Sequence, residues 1–389
     1  MIKRDISKLL NLYLKTFPIT LIVGPRQSGK TTLVKTQLKS WTFFDLEKIS
    51  DYNAVSFDIE NFFDSNSSKI VLDEAQRLPE LFSTLRSVVD KNRKNGRYVL
   101  TGSASPSLLK GVSDSLAGRI GIIELTPFGI SELQGIANHE KNRWFFGGYP
   151  PLYHLKSDRQ KTEWLEAYIS TFVERDIISF GIKIQSARFR KFIYMLANTH
   201  GGILNAMNLS RSMGISQHTV EYYLNVLENA FIIRRLYPYF ANISKRLVKS
   251  PKLYIRDSGL FNHLSGLRKK TDMECFDKRG ASWEGFIIEE IIRLASLKYT
   301  KPGVYYWRTY AGAEVDLIIE TGLNKKIAIE IKLGNIVKTG ELAGMKSCMS
   351  DLKIKNAIVI YTGEQIVKIG GGIQLIPWSK FIKNHKKYL

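Results

Sequence analysis

Cysteine is scarce: the 389-residue chain has 2, Cys275 and Cys348, far apart and in no C-x-x-C pair. That excludes a disulfide framework and a zinc ribbon, and it suits a reducing cytoplasm, the location expected for the chain. The 6 histidines form no ligand spacing and no G-x-S-x-G occurs, so neither a histidine-built metal centre nor a serine-hydrolase elbow is expected. No uninterrupted apolar run reaches about 18 residues, the length a spanning helix needs. The start, Met1-Ile-Lys-Arg-Asp-Ile6, has acid too early and no small-residue cleavage site, so a soluble, unexported protein with no membrane contact is expected. Internal repeats and low-complexity tracts are also missing. With 44% hydrophobic residues the chain can bury large cores, in two or three domains at roughly 150 residues each.

Acid is nearly absent from one stretch. Between residues 183 and 256 there are 12 Lys/Arg against 2 Asp/Glu, a net +10 of the chain's +21, compared with +4 before it and +7 after it. Such a concentration on a folded module is an electrostatic footprint for a polyanion, most often nucleic acid, here DNA. The alternative is a generally basic surface rich in solvated lysines.

What is present begins with Ile19-Thr-Leu-Ile-Val-Gly-Pro-Arg-Gln-Ser-Gly-Lys-Thr-Thr-Leu33, an apolar strand, a glycine-bounded loop and a helix start. Gly24 to Thr31 fit G-x-x-x-x-G-K-[ST]. In that motif backbone N–H groups wrap phosphates, a lysine reaches the β/γ-phosphates and a hydroxyl meets Mg²⁺. Gly24, Pro25, Arg26, Gln27, Ser28, Gly29, Lys30, Thr31 and Thr32 are therefore the expected ATP contacts, with Thr31 on the metal. The helix beginning there adds a positive dipole end.

Ile70-Val-Leu-Asp-Glu74 is a strand closing on two acids. Placed after a P-loop, Asp73 is expected to hold Mg²⁺ and Glu74 to polarise the attacking water. Ser103, with Thr101 in reserve, is the candidate γ-phosphate sensor at the end of the next strand, although a simple turn explains the same residues. Arg119 is a candidate for neutralising phosphoryl charge in cis or from another subunit, with a surface salt bridge as the equal alternative. Apolar runs at 19–23, 41–46, 70–72, 98–101 and 120–125 alternate with helical stretches, the rhythm of a parallel α/β sheet. Residues 164–180 read as one long helix.

Residues 186–250 carry a helix-turn-helix with a wing. Ser216 caps a third helix, whose Val220, Tyr223, Leu224 and Leu227 face a core. Gln217, His218, Thr219 and Tyr222 are left for a major groove, and Lys245, Arg246 and Lys249 for phosphates. A protein-docking role for the same fold stays open. Further on, Asp316 and Glu330 lie on strands, and Lys332 shares Glu330's face by the period of two. With Glu284 from a helix they make the D…E-x-K pattern of metal-dependent nucleases, Asp316 and Glu330 being the expected Mg²⁺ ligands. A hairpin carrying solvated charges is the alternative.

Taken in order, Gly24-Pro-Arg-Gln-Ser-Gly-Lys-Thr-Thr32, Leu72-Asp-Glu-Ala-Gln76, Leu100-Thr-Gly-Ser103, Leu116-Ala-Gly-Arg119 and Lys249-Ser-Pro-Lys-Leu-Tyr-Ile-Arg-Asp-Ser-Gly-Leu260 resemble the archaeal and bacterial AAA-type ATPases with a C-terminal domain of unknown function. The resemblance implies an α/β architecture in four parts. These are a P-loop parallel-sheet AAA-type domain (1–130), a helical linker or lid (131–182), a winged helix (183–250) and a restriction-endonuclease-like α/β domain (251–389). No second sensor arginine follows Arg119 in the usual context, which argues against a hexameric ring. The resulting expectation is an ATP-hydrolysing enzyme that positions a winged helix and a nuclease-like domain on DNA. Its rival is a non-catalytic STAND-like switch or scaffold for a protein partner.

Overall fold

The computed structural model describes residues 2–102, 115–177, 184–239, 249–323 and 325–389. Helix α1 (Ser7–Thr16) leads into β1 (Ile19–Val23), which is followed by α2 (Lys30–Gln37) and β2 (Thr42–Asp45). Then come α3 (Ile49–Ser56), α4 (Ile59–Ser65), β3 (Ile70–Asp73), α5 (Leu81–Lys91), β4 (Tyr98–Gly102) and β5 (Ile120–Glu124). The five strands form one parallel sheet in the order β2-β3-β4-β1-β5. Leu21, Leu72 and Leu100 pack with Phe63, Phe82 and Leu85 on one face, while Ile22, Val71 and Val99 meet Leu10, Leu33 and Val34 on the other. Burial on both faces makes such strands read as continuous apolar runs.

The middle of the chain holds α6 (His139–Phe146), α7 (Asp158–Thr171), α8 (Ser186–Thr199), α9 (Ala206–Met213), α10 (Gln217–Asn229), β6 (Ile233–Leu236), β7 (Lys252–Ile255) and α11 (Ser258–Leu264). The helix expected over 164–180 starts earlier, at Asp158, because Ser157 Oγ accepts the Gln160 N–H. It changes to a π-helical turn at Phe172–Asp176, and residues 178–180 lie outside the described residues. Ser216 caps α10 by accepting the Thr219 N–H at 3.1 Å, and Val220, Tyr223, Leu224 and Leu227 are buried, as their spacing requires. β6 and β7 pair antiparallel, Ile233 against Ile255.

One hydrophobic core runs from Phe145 through Phe172, Phe192 and Leu227 to Phe261 and Met273. The expected units 131–182 and 183–250 thus share a core, which continues past residue 250. Helical spacing identifies each apolar face but does not say which faces meet.

Last come α12 (Arg279–Lys298), β8 (Gly303–Arg308), β9 (Glu314–Gly322), β10 (Lys325–Ile331), α13 (Ala343–Leu352), β11 (Ala357–Tyr361), β12 (Val367–Gly370), β13 (Ile373–Pro377) and α14 (Trp378–Lys383). Their sheet is mixed, in the order β12-β13-β11-β10-β9-β8. Phe286, Ile287 and Ile291 of α12 cover one face, and Met345 and Cys348 of α13 the other. No described helix is long and apolar enough to cross a membrane.

Candidate nucleotide site and C-terminal acid cluster

The phosphate loop leaves the C-terminal end of β1, where ligands of open parallel sheets bind. Its shape demands glycine twice. Gly29 caps α2 at φ +94°, and a Cβ on Gly24 would stand 2.2 Å from the Leu125 carbonyl oxygen. Lys30 is buried, and its Nζ donates to the Gly24 and Pro25 carbonyls at 3.1 Å each. Burial lowers its pKa, with Glu74 and Asp73 pulling the other way.

β4, which carries Thr101, lies between β3 and β1, and Thr31 stands in the helix that follows β1; both hydroxyls reach Asp73. Thr31 Oγ1 donates to Asp73 Oδ2 at 2.6 Å, and Thr101 Oγ1 donates to Oδ1. Burial holds the Asp73 carboxyl above the usual range, and those two hydroxyls offset part of that rise. Glu74 follows with φ +55° and accepts from Gln76 Nε2.

The residues fit ATP with Mg²⁺. Thr31 and Asp73 offer the hard oxygens that Mg²⁺ prefers, and Ser28 Oγ is buried with no hydrogen-bond partner among the described residues. The cleft beside them encloses about 820 Å³, within the range of ligand sites. Its far wall is the end of α7 and the π-turn, including Trp164, Tyr168, Arg175 and Asp176. Arg26 Nε, on the loop, pairs across the cleft with Asp176 Oδ2 at 3.1 Å. Arg175 and Asp176 were missed by sequence reasoning. Their signal is weak, since only the π-turn, a local device frequent at functional sites, sets them apart.

Ser103 lies outside the described residues, whereas its reserve, Thr101, is on Asp73. Arg119 is at the opposite end of β1 from the phosphate loop, since Ile19 N donates to its carbonyl. Five residues of strand separate them, about 16 Å. Its guanidinium grips Asp90 in a fork at 2.6 and 2.8 Å. A role for Arg119 on this chain's own phosphates is therefore corrected to the salt bridge.

The DNA-facing candidates divide similarly. Gln217, His218 and Lys249 are exposed and Tyr222 is 40% exposed, but Thr219 is half-buried, its N–H and hydroxyl both engaged with Ser216. Lys245 and Arg246 lie outside the described residues. Much of the basic charge is spent internally: Arg190 pairs with Glu166, Arg234 and Arg256 with Glu289, Arg235 with Glu221 and Glu228, and Lys252 with Glu284. The +10 of the sequence is therefore not a surface charge of that size.

Ion pairs also stitch modules together. Arg256 Nη2 donates to Glu124 Oε1, at the end of β5, and its Nε to Glu289 Oε2 on α12 at 3.0 Å. Burial raises the Glu289 pKa, yet Arg234 and Arg256 outweigh it and hold that carboxyl at about 2. Arg4 joins the phosphate loop to the same seam. Its Nη1 donates to the Ser28 carbonyl at 2.8 Å and its Nε to Glu132 at 2.9 Å, while Arg293 of α12 reaches Asp5 at 3.0 Å.

At the C-terminal acids, Leu317 pairs with Ile329, which sets Asp316 across from Glu330. Ile331 N donates to Asp316 Oδ2 at 2.8 Å, and Lys332 Nζ to Glu330 Oε1 at 2.8 Å. Burial pushes the Asp316 carboxyl up, with Glu330 and Glu284 adding to the rise. The structure does bring Glu284, Asp316, Glu330 and Lys332 together, as expected. It adds Glu314, and it adds Lys252 of β7, whose Nζ lies 3.0 Å from Glu284 Oε1, against Glu314 Oε1, and 3.7 Å from Asp316 Oδ1. Among the described residues no group of three or more His, Cys, Asp or Glu is arranged to hold a metal. The expectation of Mg²⁺ on Asp316 and Glu330 is corrected accordingly: an ammonium already stands at that centre.

The parallel sheet, the glycine-bounded loop before α2 and the acids closing β3 define a P-loop ATPase domain of the AAA class. The AAA domain family matches residues 16–134, and two families described as domains of unknown function, DUF8612 and DUF4143, match 138–271 and 279–381. The chain belongs to the family of protein Rv2008c of Mycobacterium tuberculosis, with which it is 37% identical over 382 residues, 98% of this chain and 84% of that protein. Mb2031c of Mycobacterium bovis matches equally, and MJ1544 of Methanocaldococcus jannaschii is 24% identical over 96% of this chain and 91% of its own length. Among solved structures, the Walker-type ATPase PABY2304 of Pyrococcus abyssi overlaps 68% of this chain and 96% of its own, at 16% identity and a TM-score of 0.49.

Proposed function

We propose that this chain is an ATP-hydrolysing switch whose nucleotide state sets how the middle and C-terminal modules are presented to a partner. Gly24 to Thr32 bind the phosphates, Lys30 supplies positive charge, Glu74 orients and deprotonates the attacking water, and Thr31 and Asp73 would hold Mg²⁺. Bound there, the metal ion would neutralise phosphate charge. One observation carries the switch. The phosphate loop is held from outside its own domain, by Arg26 on Asp176 of the π-turn. A triphosphate at Lys30 puts anionic oxygens beside Arg26 and competes with Asp176 for it, so filling the site changes the contact that fixes the helical module.

The test measures ATP binding and turnover in three proteins. Lys30→Ala is expected to lose both, and Glu74→Gln to keep binding while turnover falls by about 10²-fold or more. Turnover unchanged in Lys30→Ala would sink the reading.

A second reading makes DNA the partner, favoured by exposed Gln217 and His218 at the start of α10, where a helix entering a major groove reads bases.

A further inference from the structure

The acid cluster of the C-terminal sheet has the residue types of a divalent-metal site and the wrong occupant. Glu284 comes from α12, Glu314 and Asp316 from β9, and Glu330 from β10. Lys252 enters from β7, a strand of the middle module, with its side chain 4% exposed. Three of the four carboxylates converge on its Nζ. Tyr254, two residues along the same strand, donates its hydroxyl to Glu284 Oε1, so the lysine arrives on a braced strand. Glu330 Oε2 is buried with no hydrogen-bond partner among the described residues, although its Oε1 has Lys332.

An ammonium and a divalent ion cannot share these oxygens. Mg²⁺ or Mn²⁺ needs oxygen ligands at about 2.1 Å, and a cation drawn to the same carboxylates would meet the Lys252 charge at contact distance, in a region where screening is weak. As folded, the residues do not fit a metal.

We infer that Lys252 is the built-in cation of this cluster: it fills the place of a divalent metal, so the site accepts Mg²⁺ or Mn²⁺ only when β7 is withdrawn or the lysine is removed. The inference rests on the nuclease-like reading of Glu284, Asp316 and Glu330, to which the structure adds Glu314, and is independent of the ATP switch. It makes the sheet pair β6–β7 the plug of the C-terminal module, inserted from a neighbouring unit. In the folded chain the acid cluster therefore holds an ammonium and no divalent metal.

The experiment titrates Mn²⁺ into full-length protein without nucleotide, following free Mn²⁺ by electron paramagnetic resonance and folding by circular dichroism. An Asp73→Asn background in every arm keeps the ATP site out of the count. Wild-type Lys252 is expected to give no binding that depends on Asp316, while Lys252→Met gains one Mn²⁺ at least tenfold tighter, which Asp316→Asn abolishes. Should Lys252→Met be unfolded alone, Mn²⁺-dependent folding is the expected gain. Asp316-dependent Mn²⁺ binding with Lys252 in place overturns the inference, whatever the variant does. So does a Lys252→Met protein that acquires no site, or that Mn²⁺ fails to fold. None of these outcomes bears on ATP turnover, so the two readings fail separately.

Discussion

Acidification should loosen the joint that carries Lys252 to the acid cluster, through His200. This residue ends α8 and is 5% exposed. Its Nδ1 accepts the Ile255 N–H at 3.0 Å, its Nε2 donates to the Ala281 carbonyl at 3.2 Å, and its ring stacks on Phe261 with centroids 3.8 Å apart. A Cβ at residue 285 would come within 2.5 Å of Nε2, so Gly285 lets α12 approach. The ring thereby pins β7 to α12, Lys252 to Glu284. A second proton has nowhere to go, because at Nδ1 it would face another N–H. Burial accordingly pulls the pKa down to about 3, with the Ala281 bond opposing only in part.

In the unfolded chain the same ring titrates near 6.5. Stability from His200 is therefore fully present above that value, and it is lost as pH falls from about 6.5 toward 3, because the unfolded state takes up the proton first. Between pH 7 and pH 5 the loss is about 2 kcal/mol, at roughly 1.4 kcal/mol per pH unit. Urea unfolding of the wild type and of His200→Gln at both pH values isolates this contribution, since the carboxylates change alike in both. The wild type should lose about 2 kcal/mol more than the variant over that interval. Equal losses, or a His200 ring that titrates near 6.5 by NMR in the folded protein, would refute the reasoning.

Two further outcomes test the seam at Arg256 and the DNA reading. Arg256→Met removes the guanidinium shared by Glu124 and Glu289 and leaves Glu289 with Arg234 alone; the cost should stay below the about 3–5 kcal/mol of a buried charge left wholly unpaired, so a modest fall in thermal midpoint is expected, and an unchanged one would show the pairs carry little. If α10 binds DNA, affinity should drop with salt at a slope near −0.9 per phosphate contacted, but with a slope well short of ten contacts, because Arg190, Arg234, Arg235, Lys252 and Arg256 are already paired; a slope near −9 would contradict that count.

Legibility followed locality. The phosphate loop, β1, β3 and the Ser216 cap were readable because each depends on residues contiguous in the chain: a left-handed Gly29, a buried apolar run, a hydroxyl three residues before an N–H. For Arg119 the sequence left phosphate and salt bridge as equal alternatives, because it shows an arginine after a glycine but not the end of the sheet on which it stands. The surface charge of the basic stretch was not legible, because counting charges along the chain ignores partners such as Glu166 and Glu289 from outside it. Arg175 and Asp176 were invisible because a π-turn leaves no strong pattern in the residues that form it.

Sequence by itself determined the strand, glycine-bounded loop and helix start of a P-loop, since the turn at Gly29 and the apolar run before Gly24 are properties of contiguous residues. It also supplied the acids of the C-terminal sheet, by strand periodicity. Only the tertiary structure decided what those acids meet. Lys252 lies 32 residues before Glu284 and 64 before Asp316, on a strand of another module, and nothing local directs it there. Its place is set by the packing of His200, Tyr254 and Gly285 at the joint, and that packing puts a fixed ammonium at the centre where the residue pattern alone predicted a metal.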